Sequence, residues 1–206
     1  MPRTWPAQAS MTPPRNHVRL HRFAGDASDR SGSDRQLLAH DPPTMPKILI
    51  LYPAPSVELV SLVDAVVEGA RSVRFAEVDV RSFGDAGDAP GSGKQLRGID
   101  DLASYDGIIV GVPAGEVEGK GLLERLASFD GSLSNKVGSA FTPRTGSDRV
   151  AALWSALSPM ADRGMILVPL PFAEGGESNA EACRRMGKRV AEVVGWVTHA
   201  RSHHHH

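Results

Sequence analysis

"KILILYPAPSVELV", Lys47 to Val60, decides how the chain is organised. Lys47–Tyr52 carries a continuous apolar run of strand length, the mark of a strand covered on both faces. Pro53-Ala54-Pro55-Ser56 then breaks the run. Ser56 is a helix N-cap by residue type, and Val60, Val63, Val67 and Ala70 recur behind it at helical spacing. A buried strand, a tight loop and a helix make the opening of a strand-helix-strand unit.

The same alternation continues to the end of the chain. "VRFAEVDV" (Val73–Val80) reads as a second strand with apolar residues at every other position, followed by a glycine-rich connection and a turn or two of helix at "IDDLASY". "DGIIVGVP" is a third strand stopped by Pro113, and "GLLERLASF" a helix with Leu122, Leu126 and Phe129 on one side. "KVGSAFTP" is a fourth strand. In the helix after it, Val150, Leu153, Trp154, Leu157 and Met160 form the expected buried stripe. "GMILVP" is a fifth strand. The last helix opens on a Ser178/Glu181 capping box and buries Met186, Val190, Val193 and Val197. Five strands alternating with helices predict an α/β fold with a doubly wound five-stranded parallel sheet. The expected strand order is 2-1-3-4-5, which puts a ligand crevice beyond the carboxyl ends of the strands. Three loops converge there: Pro53–Ser56, Pro113–Lys120 and Thr142–Ser147.

A chain of 206 residues, 41% of them apolar, suffices for one complete core. The single domain is expected over residues 45–200. Residues 1–44 are rich in Pro, Arg, Ser and His without an apolar period, and read as a disordered leader or as a start codon assigned upstream of Met45. Residues 201–206 read as a tail ending in a purification-tag remnant. A formal net charge of -1 points away from nucleic acid and from acidic membranes. No apolar run reaches the roughly 20 residues a membrane span needs. Cys183 is the only cysteine, so an intrachain disulfide is excluded and a cytoplasmic location is expected. With no His near it in sequence, Cys183 reads as a helix packing residue; no catalytic residue and no metal ligand is assigned.

Three nucleotide-binding patterns fail on inspection. "GDAPGSGKQ" (Gly87–Gln95) has P-loop composition, but its spacing is off by one residue and Gln95 replaces the metal-binding hydroxyl. No strand is followed by G-x-G-x-x-G. A phospho-receiver pocket needs an Asp at the strand ends, where the chain has Leu51-Tyr52-Pro53 and Val110-Gly111-Val112.

"LASYDGIIVGVPAGEVEGKGLLERL", "KVGSAFTPRTGSDRVAALWSAL" and "MADRGMILVPLPFA" together resemble flavodoxin-like proteins of the tryptophan-repressor-binding-protein type, the NAD(P)H:quinone oxidoreductases. The resemblance covers about Lys47 to Val197, and Gly111, Pro113 and Gly121 match the layout of the family's flavin loop. It implies a flavodoxin-like fold, an FMN cofactor, NAD(P)H as electron donor and a small-molecule, quinone-like acceptor. By position, Ser56 and the first turn of its helix, from Val57 on, would hold the FMN phosphate. Pro113, Ala114 and Gly115 would flank the isoalloxazine ring. Thr142, Thr145 and Gly146 would lie on its other side or at its edge. A homo-oligomer is a further expectation, although the family's long segment after the fifth strand is here only "LPFAEGG".

The phosphate loop departs from that pattern. A phosphate at a helix N-terminus is held by backbone N–H groups and hydroxyls. Pro53 and Pro55 have no N–H to give, Ala54 has no hydroxyl, and Glu58 adds a negative charge. This predicts FMN binding that is weak or lost, and a second reading follows: a flavodoxin-like domain without flavin, serving as an interaction or regulatory module. The family's Thr-Arg after the proline is Ala114-Gly115 here. Arg144 and Arg149 read as solvated charges, Tyr52 as core, and Trp154 and Trp196 as packing residues.

Overall fold

The computed structural model of the protein describes residues 45–53, 57–83, 94–96, 98–129, 131–171 and 177–203. The expected leader, the Ala54–Ser56 loop, most of the glycine-rich connection and the last three histidines lie outside these residues. Strands run over Lys47–Pro53 (β1), Glu77–Phe83 (β2), Lys94–Gln95 (β3), Gly107–Gly111 (β4), Val137–Phe141 (β5) and Ile166–Leu167 (β6). Helices run over Val57–Arg71 (α1), Glu116–Ser128 (α2), Gly146–Asp162 (α3) and Asn179–His203 (α4), with a 3-10 turn at Ile99–Ser104.

All strands pair in parallel, in the order β3-β2-β1-β4-β5-β6. Without the two-residue β3, the strands follow the predicted 2-1-3-4-5 order. β3 itself was not foreseen; it extends the edge by pairing Arg81 with Lys94 and Ser82 with Gln95.

β1 is the axis of the sheet. It pairs with β2 from Lys47 opposite Glu77 to Pro53 opposite Phe83, and with β4 from Ile48 opposite Gly107 to Leu51 opposite Val110. Ile48, Leu49, Ile50 and Leu51 are fully buried because helices cover both faces. Alternate side chains leave the strand on opposite sides. Ile48, Ile50 and Tyr52 pack with Leu59 and Val66 of α1 and with Met186 and Val190 of α4. Leu49 and Leu51 pack with Leu122 and Leu126 of α2 and with Ala156 and Met160 of α3. Burying each such aliphatic side chain contributes about 1.5–3 kcal/mol.

α1 and α4 approach backbone to backbone. A Cβ at Gly69 would collide with the carbonyl of Arg184, and one at Gly187 with the carbonyl of Val66. Only glycine fits at either contact. The far end of α4 is fastened too: Arg201 pairs with Asp106 at 3.4 Å, and Asp106 also accepts the backbone N–H of Lys47 at 3.0 Å. α4 therefore continues to His203, beyond the domain boundary expected at residue 200.

Several side-chain expectations are corrected. On α3 the buried residues are Arg149, Ala152, Ala156, Leu157 and Met160, whereas Val150 and Trp154 are 53% and 61% exposed. The buried face is turned away from the largest apolar residues because two alanines let the helix sit close to the sheet. On α1, Val60 faces outward and Leu59 is buried in its place. Trp196 is 59% exposed, with the Arg189 guanidinium 4.8 Å from its ring centroid, a cation–π contact at the surface. β2 begins at Glu77 and not at Val73, because Phe75 adopts a left-handed backbone (φ +72°) that no strand accommodates.

Candidate functional site

The strand order reverses beside β1: the chain leaves β1 toward β2 on one side and later enters β4 on the other. The crevice lies beyond the carboxyl ends of β1 and β4, bounded by the loops into α2 and α3. Ser56 lies outside the described residues; Val57 opens α1, and its side chain is not described.

The two other loops are joined directly. The Val112 N–H donates to the Phe141 carbonyl at 2.8 Å, carrying the β4–β5 pairing one residue past the end of β4. The Arg144 Nε donates to the Pro113 carbonyl at 3.3 Å, across 31 positions of sequence. Of the residues expected to flank a ring, Pro113 is buried, while Ala114 and Gly115 are exposed. Opposite them, Thr142 is fully buried, and Thr145 and Gly146 are exposed. The structure thus brings Pro113–Gly115 and Thr142–Gly146 together at one crevice.

Local chemistry explains the loop after β5. The Thr142 Oγ1 accepts the Arg144 backbone N–H at 3.3 Å, a short side-chain turn that bends the chain out of the strand. Gly146 then opens α3 at φ +60°, a conformation glycine adopts without strain. α2 and α3 both begin without a side-chain cap, at Gly115 and Thr145, so the first amides of each helix are not taken up by a capping side chain. These helix ends carry partial positive charge.

Two contributors were not legible as site residues. Asn179, at the start of α4, donates from Nδ2 to the Thr142 carbonyl at 2.9 Å, and its buried Oδ1 has no hydrogen-bond partner. Arg149, expected in solvent, is only 8% exposed and donates to the Pro171 carbonyl at 2.7 Å. No spacing rule couples a first-turn Asn to a loop 37 positions upstream. For Arg149, the one signal was its place in the first turn of a helix bordering the crevice. Cys183 lies within the electrostatic reach of Arg149, but burial dominates and pushes its thiol up to about 12, so the neutral thiol persists at physiological pH.

A flavin ring placed as the resemblance implies would meet small residues at this crevice. Ala114, Gly115 and Gly146 present almost no side chain, and a Cβ at Gly146 would meet nothing within 4 Å. The uncapped amides of α2 and α3 and the guanidinium of Arg144 are the hydrogen-bond donors at its rim. At the phosphate end, β1 finishes at a buried proline that has no N–H to offer. A cavity of about 540 Å³ is also present at the opposite, amino-terminal end of the sheet, lined by Met45, Phe75, Trp196 and His199 among others. It is remote from these loops and takes no part in the crevice. Among the described residues, no group of His, Cys, Asp or Glu is placed to hold a metal ion, and no helix is long and apolar enough to cross a membrane.

No family model matches the chain. The flavodoxin of Streptococcus pneumoniae TIGR4 superposes with a TM-score of 0.51 at 16% identity, covering 71% of this chain and 98% of that one. Oxidised flavodoxin 2 of Bacillus cereus gives 0.50 at 20% identity, covering 73% and 98%. These likenesses establish a flavodoxin-like fold. An NAD(P)H dehydrogenase (quinone) of Azorhizobium caulinodans is 31% identical over 168 residues, which span 73% of this chain and 79% of the relative. With that identity over most of both sequences, on a sheet of this order, the chain belongs to the family of the NAD(P)H dehydrogenases (quinone).

Proposed function

We propose that the protein is an FMN-dependent oxidoreductase that passes electrons from NAD(P)H to a quinone-like acceptor, of the tryptophan-repressor-binding-protein type. The observation that carries this is the 31% identity to an NAD(P)H dehydrogenase (quinone), together with two small-residue loops facing each other at the strand ends. FMN, when bound, supplies the two-electron chemistry between nicotinamide and quinone. Pro113, Ala114 and Gly115 hold one side of its ring; Thr142, Thr145 and Gly146 hold the other side or the edge. Thr142 acts through the loop, whose shape its hydroxyl and carbonyl set. Ser56 and the N–H groups of Val57 and Glu58 hold the phosphate.

The affinity for FMN is low in this reading. Pro53 and Pro55 remove two amide donors, and each hydrogen bond to a charged group contributes about 1.5–3 kcal/mol. The loss is about 3–6 kcal/mol, or roughly two to four orders of magnitude in the dissociation constant. Pro53, as the buried last residue of β1, also supports the second reading, a flavin-free interaction or regulatory domain.

An absorption spectrum of freshly purified protein, followed by titration with FMN and then with NAD(P)H and a quinone, tests both. Saturable quenching of FMN fluorescence with flavin-dependent oxidation of NAD(P)H supports the oxidoreductase. No binding at submillimolar FMN leaves the second reading.

A further inference from the structure

Three unfavourable features meet at the cavity at the amino-terminal end of the sheet. Phe75, in the turn from α1 to β2, holds a left-handed backbone at φ +72° while its side chain stays 74% exposed. A bulky residue is a rare occupant of that region, and glycine would make the same turn without strain. Burial of the ring does not offset the strain. Gly195 lies inside α4, where glycine weakens a helix. At Gly69 and Gly187 a neighbouring backbone demands glycine, but an added Cβ at Gly195 would meet nothing within 4 Å. Trp196, beside it, is 59% exposed. All three line one cavity of about 540 Å³, within the range of about 300–1,000 Å³ typical of small-molecule sites.

We propose that this cavity binds a planar aromatic molecule carrying one carboxylate. Its lining is mostly apolar, with Val73, Ala76 and Ala191 joining the two aromatic side chains, and the missing side chain at Gly195 keeps it open. A ligand ring gains stacked or edge contacts with Phe75 and Trp196 beyond the area it buries; an aliphatic chain gains the area alone. Most polar groups at the rim are already engaged. The Thr198 hydroxyl donates to the Val194 carbonyl and the Ser202 hydroxyl to the His199 carbonyl, each at 2.7 Å. Glu192 pairs with Arg189 at 3.4 Å, and that guanidinium also lies over the Trp196 ring. Arg74 is exposed at the cavity and has no ion pair among the described residues. A ligand carboxylate supplies that partner, in the two-pronged geometry a guanidinium favours. The site shares no residue with the crevice, so it stands or falls apart from the flavin reading.

The test titrates the full chain, by fluorescence, with two matched dyes. Anilinonaphthalenesulfonate carries a sulfonate that stands in for the carboxylate; phenylnaphthylamine is the same ring system without the charge. The native protein is expected to bind both at one saturable site, the anion more tightly, with no competition from FMN. Gly195→Leu fills the cavity from α4 and is expected to lose about tenfold or more in affinity for both dyes. Arg74→Gln is expected to lose about tenfold for the anionic dye and to leave the neutral one unchanged.

Failure of the native protein to bind either dye overturns the proposal, as does binding that Gly195→Leu leaves unchanged. Equal losses for both dyes in Arg74→Gln overturn it too, since the site then recognises no anion. Displacement of the dye by FMN places it in the crevice and removes the case for a second site. Sedimentation of the protein alone supplies one more outcome. A concentration-dependent doubling of mass that Gly195→Leu abolishes assigns the face to a second copy of the chain, and overturns the small-molecule site. Thermal melting identifies any loss of fold; Gly195→Ala, a smaller plug expected to give a partial loss, keeps the comparison decisive if the leucine variant does not fold.

Discussion

The Asn179 side-chain amide donates to the Thr142 carbonyl at 2.9 Å, tying the first turn of the last helix to the loop after β5. Thr142 is fully buried, so its carbonyl has no water to turn to when that donor is removed. Asn179→Ala is expected to cost about 1–3 kcal/mol of stability. It should also weaken FMN binding, because the loop bearing Thr145 and Gly146 loses its anchor. Urea denaturation and flavin titration of the same variant check both halves.

Glycine substitutions in α4 should act in opposite directions. Gly187→Ala drives a methyl group into the Val66 carbonyl across the helix contact, which is expected to destabilise by about 1–3 kcal/mol or more. At Gly195 an added Cβ meets nothing within 4 Å, so Gly195→Ala should stabilise by up to about 1 kcal/mol through helix propensity. Thermal melts of the two variants, in parallel, test the pair.

Cys183 should resist thiol reagents. It is fully buried, and burial raises its pKa to about 12, so both access and thiolate fraction are minimal at pH 8. The native protein should leave the thiol unmodified by an aromatic disulfide reagent over hours, while denatured protein reacts within minutes. Rapid native labelling would contradict the packing of α4 against the sheet.

The capping box of α4 predicts an acid dependence. The Glu181 carboxylate accepts the Ser178 N–H at 2.8 Å and its hydroxyl at 2.9 Å, and the backbone hydrogen bond is the main cause of its lowered pKa. A carboxylate with a depressed folded-state pKa stabilises above its unfolded value, and that contribution is lost as pH falls through the folded one. Protection of the first-turn amides of α4 should therefore hold above the ordinary value of 4.5 and decline as the pH drops below it. Hydrogen exchange against pH measures this, and in Glu181→Gln the dependence should vanish.

The fold was legible because β1 is buried on both faces and its apolar run has no competing reading. Prolines at the ends of β1 and β4 marked where strands stop, and the alternation of elements gave the sheet order. Orientation about each helix axis was less legible. On α3, Val150 with Trp154 and Ala152 with Ala156 have the same i, i+4 spacing, and periodicity cannot say which face is buried. Close packing against the sheet selected the alanines and, with them, Arg149, whose guanidinium donates to a carbonyl beyond β6. The two small-residue loops of the site could be placed from sequence, since strand-end loops must converge. The bonds that fix them, Arg144 to Pro113 and Asn179 to Thr142, could not, because each spans more than 30 positions and depends on tertiary geometry.

The glycine contact between α1 and α4 has a consequence for biosynthesis. α1 is the first helix described and α4 the last, so the inner face of α1 meets its partner only after nearly the whole chain has been synthesised. The strip of α1 at the glycine contact must wait for α4, while the rest of its inner face packs on β1. A chain cut short before Asn179 leaves its earliest helix on β1 with the α4 contact unfilled.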